Sequence, residues 1–111
     1  KKNDYFFVPY SNDIFTNLKF KSNLVFNCNS FSEMDSKILN KYFRLLNNTL
    51  RPDYLLHQNS NVLLYPKSNL HVEIQSNKFP INKSKYKMIY SNPSLFQGGS
   101  GRYREYLYSR K

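Results

Sequence analysis

The feature that most constrains the fold is one amphipathic segment, which starts at Ser32 and is stopped by Pro52. Apolar side chains recur along one side of this segment at helical spacing, while lysine, arginine and asparagine occupy the other side, which predicts a helix. Ser32 and Asp35 approximate a capping box, and Glu33 adds negative charge near the helix N-terminus. Because Pro52 disfavours a helical backbone at the residue before it, the helix is expected to end near Arg51.

Segments of alternating apolar residues flank this helix and predict strands. Within residues 23–31, Leu24, Phe26 and Cys28 fall on one face, which we expect to be the buried one. The other segments that predict strands are residues 70–74, residues 85–90 and, after a glycine-rich stretch, residues 103–108. Residues 52–69 are expected to be a connection between the helix and the second strand.

With 111 residues the chain can form one small domain. Residues 1–22 are predicted to be an aromatic-rich N-terminal extension, which either lies across a neighbouring surface or packs on its own domain. Residues 23–111 are predicted to form a small α+β domain in the order strand, helix, strand, strand.

The cysteine, histidine and hydropathy patterns argue against several classes of protein. Cys28 is the single cysteine, so an internal disulfide is excluded. No apolar run approaches the ~20 residues that span a bilayer, and no signal peptide is recognisable, so we expect a chain that is soluble or held within a larger body. His57 and His71 have no paired cysteines beside them and give no zinc-ligand spacing.

No segment carries an enzymatic motif. The glycine-rich residues 98–101 lack the Lys-Ser/Thr of a phosphate-binding loop, and the aspartates are scattered singly. We therefore predict no catalytic residue, no metal and no other cofactor. The chain has 15 asparagines and no alanine, a bias that suggests an AT-rich, organellar genome.

Positive charge is concentrated in residues 78–111. This third holds eight bases against the single acid Glu105, whereas residues 1–77 hold nine bases and six acids. It also contains five of the ten tyrosines and all three glycines. Cations, aromatic rings and a glycine-rich break in one segment favour a phosphate-bearing polymer as partner, and a solvated basic tail is the alternative.

Within this segment, Lys83, Lys85 and Lys87 recur at every second position, so in a strand all three would project from one face. The arginines beyond the glycines can bind phosphate with two hydrogen bonds each, and a tyrosine within residues 103–108 can stack on an unpaired base. The residues predicted to bind RNA are Lys83, Lys85, Lys87, Arg102, Tyr103, Arg104, Arg110 and Lys111.

Several passages of the chain resemble the small-subunit ribosomal protein S-ten family, in a divergent, mitochondrial form. Residues 24–31, which lead into Asp35, resemble the opening strand of that family and its turn into a helix. Residues 79–93 resemble its second signature, in which a proline turn and basic residues precede a strand that closes in Ser-Pro. Later positions similar to the family are Gly101-Arg102 and Tyr108-Ser109-Arg110.

The resemblance implies a ferredoxin-like α+β fold that is incomplete, because the chain stops where the family continues into a second helix and a last strand. Residues 52–69 would be an insertion, and Asn92 and Ser94 depart from the family pattern. A long basic hairpin over residues 83–104 would contact rRNA in the head of the small subunit, beside neighbouring ribosomal proteins, and a second chain could complete the sheet.

Two other functions fit the same composition. One is a non-catalytic accessory subunit of another organellar complex, such as a respiratory-chain assembly, with the basic run facing acidic partners or lipid headgroups. The other is an independent RNA-binding factor that binds and dissociates reversibly. All three functions are non-enzymatic.

Overall fold

The structure, a computed structural model, describes residues 22–62, 73–95 and 102–111. Within these ranges one helix packs against a four-stranded mixed sheet with the strand order β1-β2-β4-β3. The elements are β1 (Leu24–Cys28), α1 (Ser36–Leu45), β2 (Tyr54–Ser60), β3 (Tyr86–Pro93) and β4 (Tyr103–Arg110). The predicted α+β class is confirmed, and the predicted N-terminal extension lies outside the described residues apart from residue 22.

Helix α1 begins later than its capping pattern predicted. Residues 31–33 form a short 3₁₀ turn, and the residue that caps α1 is Asp35, not Ser32. The Asp35 carboxylate accepts hydrogen bonds from the backbone N–H groups of Lys37 and Ile38 at 2.8 and 2.9 Å. Ser32 is buried instead, and its hydroxyl donates to the Ser60 carbonyl. A serine with a buried hydrogen-bond partner is therefore unavailable as a cap.

The end of the helix agrees with the sequence. One π-helical turn (Leu46–Leu50) extends α1, and Arg51 then adopts a left-handed conformation with φ 46° immediately before Pro52. The backbone N–H of Arg51 donates to the Leu46 carbonyl at 2.9 Å and closes this turn. Left-handed backbone after the last turn is the usual way in which a helix stops.

The predicted buried face of β1 is the exposed one. Val25 packs against the core, whereas Leu24, Phe26 and Cys28 are exposed on the opposite side of the strand. Alternation divides a strand into two faces but does not say which face the helix covers. Here α1 covers the face that carries Val25 and Asn27.

Residues 54–60, which were predicted to lie in a connection, form a strand. They form β2, which lies inside the sheet between β1, to which it is parallel, and β4, to which it is antiparallel. The sequence of β2 turns polar at His57–Ser60, and these four residues are all buried. The buried side chain of Asn59 has hydrogen-bond partners. Its Oδ1 accepts from the Ser32 N–H, and its Nδ2 donates to Asn27 Oδ1. Buried polar groups with such partners can occupy a central strand.

The strand predicted over residues 70–74 falls mostly outside the described residues. The described residues Glu73 and Ile74 do not form a strand, and both of their N–H groups donate to the Ser32 carbonyl, at 2.8 and 3.2 Å. A 3₁₀ turn follows at Ser76–Lys78 and leads to Phe79, which is buried.

The predicted strands over residues 85–90 and 103–108 correspond to β3 and β4, which pair antiparallel. The register shifts between Met88 and Tyr90, so that Met88 lies opposite Tyr108 and Tyr90 lies opposite Leu107. An extra residue of this kind reverses the alternation of the strand beyond it. Tyr90 therefore shares a face with Lys87 and not with Tyr86, contrary to the sequence prediction.

The core lies between α1 and one face of the sheet, here called the inner face. Leu39 is 0% exposed and faces Leu55 of β2, which is 2% exposed. The buried members of this core are Phe31, Leu39, Phe43, Leu46, Leu50, Leu55 and Phe79. The opposite side of the sheet, here called the open face, has no helix against it among the described residues.

Candidate nucleic-acid interface

The C-terminal end of α1 meets the base of the β3–β4 hairpin. The antiparallel register places Arg110 opposite Tyr86, and the Tyr86 hydroxyl donates to the Pro52 carbonyl at 3.3 Å. The Arg110 N–H donates to the Asp53 carbonyl at 2.8 Å. The end of the chain is thereby held against the residues that follow the helix.

Three cationic side chains donate to backbone carbonyls in this region. The Arg110 guanidinium donates to the Arg51 carbonyl at 3.0 Å, and the Lys85 ammonium donates to the Asn47 carbonyl at 3.3 Å. The Lys111 ammonium donates to the Lys83 carbonyl at 2.7 Å. The last carbonyls of a helix lack intrahelical partners and carry partial negative charge, so cations are favourable there.

These contacts gather cations that are distant in sequence. We call them the basal cluster, which consists of Arg51, Lys83, Lys85, Arg110 and Lys111. Asp53 lies beside the cluster, since its backbone carbonyl accepts from the Arg110 N–H, and the five cations outnumber this acid. Cations with hydrogen-bonding capacity left over, grouped on one surface, form a binding site for phosphate groups.

Of the three lysines predicted to share a strand face, the structure places one in the strand. Lys83 and Lys85 lie in the turn before β3, and Lys85 turns toward the helix end. Lys87 lies within β3 opposite Ser109, is exposed, and projects from the open face. Lys87 therefore borders the basal cluster without belonging to it.

The remaining predicted residues lie at the other end of the hairpin. Arg104 pairs with Pro93, and its guanidinium donates to the hydroxyl and the carbonyl of Ser91 at 3.1 and 3.0 Å. Arg102 is exposed, and Tyr103 is half-buried on the open face opposite Ser60. The strands separate this end from the basal cluster by roughly 24 Å, at about 3.4 Å per residue. The eight predicted residues therefore form two groups and not one continuous row.

Sequence reasoning missed Arg51 and overestimated two tyrosines. Arg51 ends the helix. Its position directly before the helix-stopping Pro52 was the sequence signal that could have placed this cation at the helix end. Tyr106 is buried, stacks on His57, and donates its hydroxyl to the Asn61 side chain at 3.1 Å. Tyr108 packs against the core, and burial raises the pKa of Tyr108 to about 12. Neither ring is free to stack on a base.

His57, the described member of the two histidines, has a packing role. Its ring lies 4.8 Å from the Tyr106 ring and 5.0 Å from the Phe79 ring. Among the described residues neither of its nitrogens has a hydrogen-bond partner. Burial lowers the pKa of His57 to about 4, so the ring is neutral at physiological pH.

Comparison with known proteins does not assign this geometry to a family. No family model, curated protein or solved structure matches the chain. In residues 22–62, 73–95 and 102–111, no group of three or more histidine, cysteine or acidic residues is placed to hold a metal ion. The one helix within these ranges is too short and too polar to cross a membrane. The physical properties of the surface are therefore the basis for a functional proposal.

Proposed function

We propose that this protein is a non-catalytic, RNA-binding constituent of the small ribosomal subunit of mitochondria, located in the head of the subunit. The observation that carries the proposal is the basal cluster, where hydrogen bonds hold the side chains of Lys85, Arg110 and Lys111 beside two further cations, Arg51 and Lys83. The net charge of the whole chain is +10. A surface of this kind binds phosphates by charge and releases their counterions.

The resemblance to the S-ten family supports the ribosomal part of the proposal. The hairpin and the helix occur in the order that the resemblance implies. In the split βαβ arrangement of ferredoxin-like folds another strand separates the two parallel strands, whereas β1 and β2 pair directly here. We propose a rearranged relative of that fold, with β1 at the sheet edge where a second chain can add a strand.

The role that follows is architectural. The basal cluster would neutralise rRNA phosphates, and the rest of the domain would contact neighbouring ribosomal proteins in the mitochondrial matrix. The first test is sedimentation of the endogenous protein, with and without ribonuclease. We expect the protein to sediment with the small subunit and to shift to slow fractions after ribonuclease; a particle that survives ribonuclease unchanged and lacks RNA would contradict the proposal.

A charge-removal variant tests the surface itself. Arg51→Gly, Lys83→Gln and Lys87→Gln together remove three charges, and none of these three side chains donates a hydrogen bond to another residue that the structure describes. The matched control removes three charges from the exposed side of α1, at Lys37, Lys41 and Arg44. We expect the first variant to reduce the slope of the logarithm of the RNA-binding constant against the logarithm of salt concentration by about 2. We also expect it to reduce small-subunit assembly. Equal effects of the two variants would mean that total charge, and not the basal cluster, is responsible.

A second candidate function is favoured by the open face of the sheet. Leu24 and Phe26 are 52% and 59% exposed there, as is typical of protein docking surfaces. An accessory subunit of another organellar complex, such as a respiratory-chain assembly, would use this face against a protein partner. The ribonuclease experiment separates the two functions, because the accessory subunit would sediment identically with and without ribonuclease.

A further inference from the structure

The open face presents a continuous row of apolar side chains across all four strands. The register aligns Phe26 with Leu56, Leu56 with Leu107, and Leu107 with Tyr90. The next row toward the basal cluster contains Leu24, Tyr54, Ser109 and Lys87 in the same strand order. The two rows together form a largely apolar surface, bordered by Lys87, whose residues are not members of the core of the described residues.

Two aromatic rings on this surface are unusually exposed. Phe26 is 59% exposed and Tyr54 is 49% exposed, although both belong to strands of the sheet. They lie on adjacent strands and are offset by two residues, so their Cα atoms are about 7–8 Å apart. That spacing allows neighbouring unpaired bases to stack on the two rings, one on each. Tyr90 lies farther along the first row and is half-buried, which provides a third ring.

The positive charges beside the two rows indicate which kind of ligand this surface can bind. Lys87 is in the same row as Tyr54, two strands away, and Lys111 lies two residues beyond Ser109 of that row. Arg110, between them, is directed to the helix side of the sheet, where its guanidinium donates to the Arg51 carbonyl. The basal cluster therefore borders the end of the open face at which Tyr54 lies. A surface with exposed rings and adjacent cations matches the two parts of a nucleotide, a planar base and a phosphate.

Among the described strand residues of the open face, one is acidic, Glu105. Glu105 is in the row beyond Phe26, between Gln58 and Asn92, at the side away from the basal cluster. A carboxylate there repels phosphate but accepts hydrogen bonds from base amino groups. Phosphates would therefore follow the side with Lys87, and bases would extend toward Glu105.

We propose that the open face binds a single-stranded RNA segment, with unpaired bases stacked on Phe26 and Tyr54 and their phosphates on Lys87 and the basal cluster. The inference rests on the proposed function, since it says how RNA is contacted. It adds that the ligand is unpaired, which the charge of the basal cluster alone does not require. Double-stranded RNA cannot present base faces to a flat sheet, so it would be bound by the cations alone.

The experiment measures binding of the full chain to two RNA probes, an oligouridylate of about 12 nucleotides and a duplex of similar charge. The test variant is Phe26→Leu with Tyr54→Leu, which keeps an apolar surface and removes both rings. The matched control is Phe26→Tyr with Tyr54→Phe, which keeps both rings. Circular dichroism of each variant verifies that the sheet is formed.

We expect the wild type and the control to prefer the oligouridylate over the duplex. Loss of stacking costs about 5- to 150-fold in affinity per base, so the Leu variant should bind the oligouridylate at least about 10-fold more weakly. Its binding to the duplex and its salt dependence should be unchanged. In the native particle, ultraviolet cross-links to uridine should map to Phe26 and Tyr54.

Other outcomes overturn the inference in distinguishable ways. If the Leu variant binds both probes like the wild type, while the charge-removal variant binds them weakly, the open face does not stack bases but the proposed function stands. If the Leu variant keeps its RNA cross-links and loses a neighbouring protein from the particle, the open face is a protein interface. If no form of the chain binds either probe and no cross-link forms, the proposed function fails together with the inference.

Discussion

The inner and open faces of the sheet carry similar side chains in opposite environments. On the inner face, Leu55 and His57 are buried beneath α1 and Phe79. On the open face, Tyr54 precedes Leu55 by one residue and is half exposed. Both faces mix apolar and aromatic residues with polar ones, such as Asn59 on the inner face and Ser109 on the open face, so composition does not distinguish them.

The difference between the faces is set by where the chain returns after β1. Residues 29–53 carry α1 across one side of the sheet before β2 pairs with β1 in parallel. The apolar stripe of α1, which includes Leu39 and Phe43, then buries whichever strand residues lie beneath it. Among the described residues, Leu24 and Phe26 on the other face remain more than half exposed. The path of α1 thus decides which apolar residues contribute to the core.

The largest expected effect compares the same truncation on the two faces. Leu55→Ala leaves a cavity beneath α1 and should lower the free energy of unfolding by about 2–5 kcal/mol. Leu24→Ala removes the same atoms from the open face, where the side chain is 52% exposed, and should cost below about 1 kcal/mol. Urea denaturation of the full chain measures both values. Similar losses in the two variants would show that the open face is covered in solution.

The next effect concerns pH and the inner face. Burial lowers the pKa of His57 to about 4 from an ordinary value of 6.5. The unfolded chain therefore binds the proton more readily than the folded one, and the stability present above pH 6.5 is lost as the pH falls toward 4. The full loss is about 3 kcal/mol, at about 1.4 kcal/mol per pH unit.

His57→Phe provides the control for this prediction. It keeps an aromatic ring between Tyr106 and Phe79 and removes the titrating group. The free energy of unfolding of the variant should fall less steeply than that of the wild type between pH 6.5 and 4, and the difference between the two curves isolates the histidine. Parallel curves would mean that the ring is not buried in the folded state in solution.

A smaller effect tests the start of the helix that covers the inner face. Asp35→Ala removes the carboxylate that accepts from two backbone N–H groups and should cost about 1 kcal/mol. Asp35→Asn keeps an accepting oxygen and should cost less. Thermal unfolding followed by circular dichroism compares the two variants, and an equal loss in both would assign the effect to charge and not to the cap.

The sequence was informative wherever a local signal decided the structure. The stop before Pro52 and the strands β3 and β4 were predicted because proline geometry and alternation act over a few residues. Central strand β2 was missed because its second half is polar, and its burial depends on partners such as Asn27, which lies 32 residues away. Such long-range hydrogen bonds leave no local pattern.

The candidate site was predicted only in part, because its charges are visible in the sequence but its long-range contacts are not. The sequence identified the basic residues of the hairpin, since charge is visible without structure. It did not show that Lys85 turns to the helix end, that Arg104 binds Ser91, or that Arg51 joins the cluster. Nor did it show that Phe26 is exposed, because the path of α1 decides which face of β1 is covered.

The smallest expected effect on stability is at Arg51, which both ends the helix and belongs to the basal cluster. Its left-handed backbone, with φ 46°, costs a non-glycine residue roughly 1–2 kcal/mol, while glycine loses about 0.5–1 kcal/mol of chain entropy on folding. Arg51→Gly should therefore leave the free energy of unfolding unchanged or raise it by less than about 1 kcal/mol.

Arg51→Gln separates backbone strain from charge at this position. It removes the same charge but keeps the strained backbone, so it should give no gain in stability. Both variants keep the carbonyl to which the Arg110 guanidinium donates, and both should weaken RNA binding equally in a fluorescence titration. If glycine weakens binding more than glutamine does, the site requires the fixed geometry of the helix end and not simply its charge. If neither variant weakens binding, Arg51 lies outside the RNA interface and the basal cluster must be redrawn around the hairpin alone.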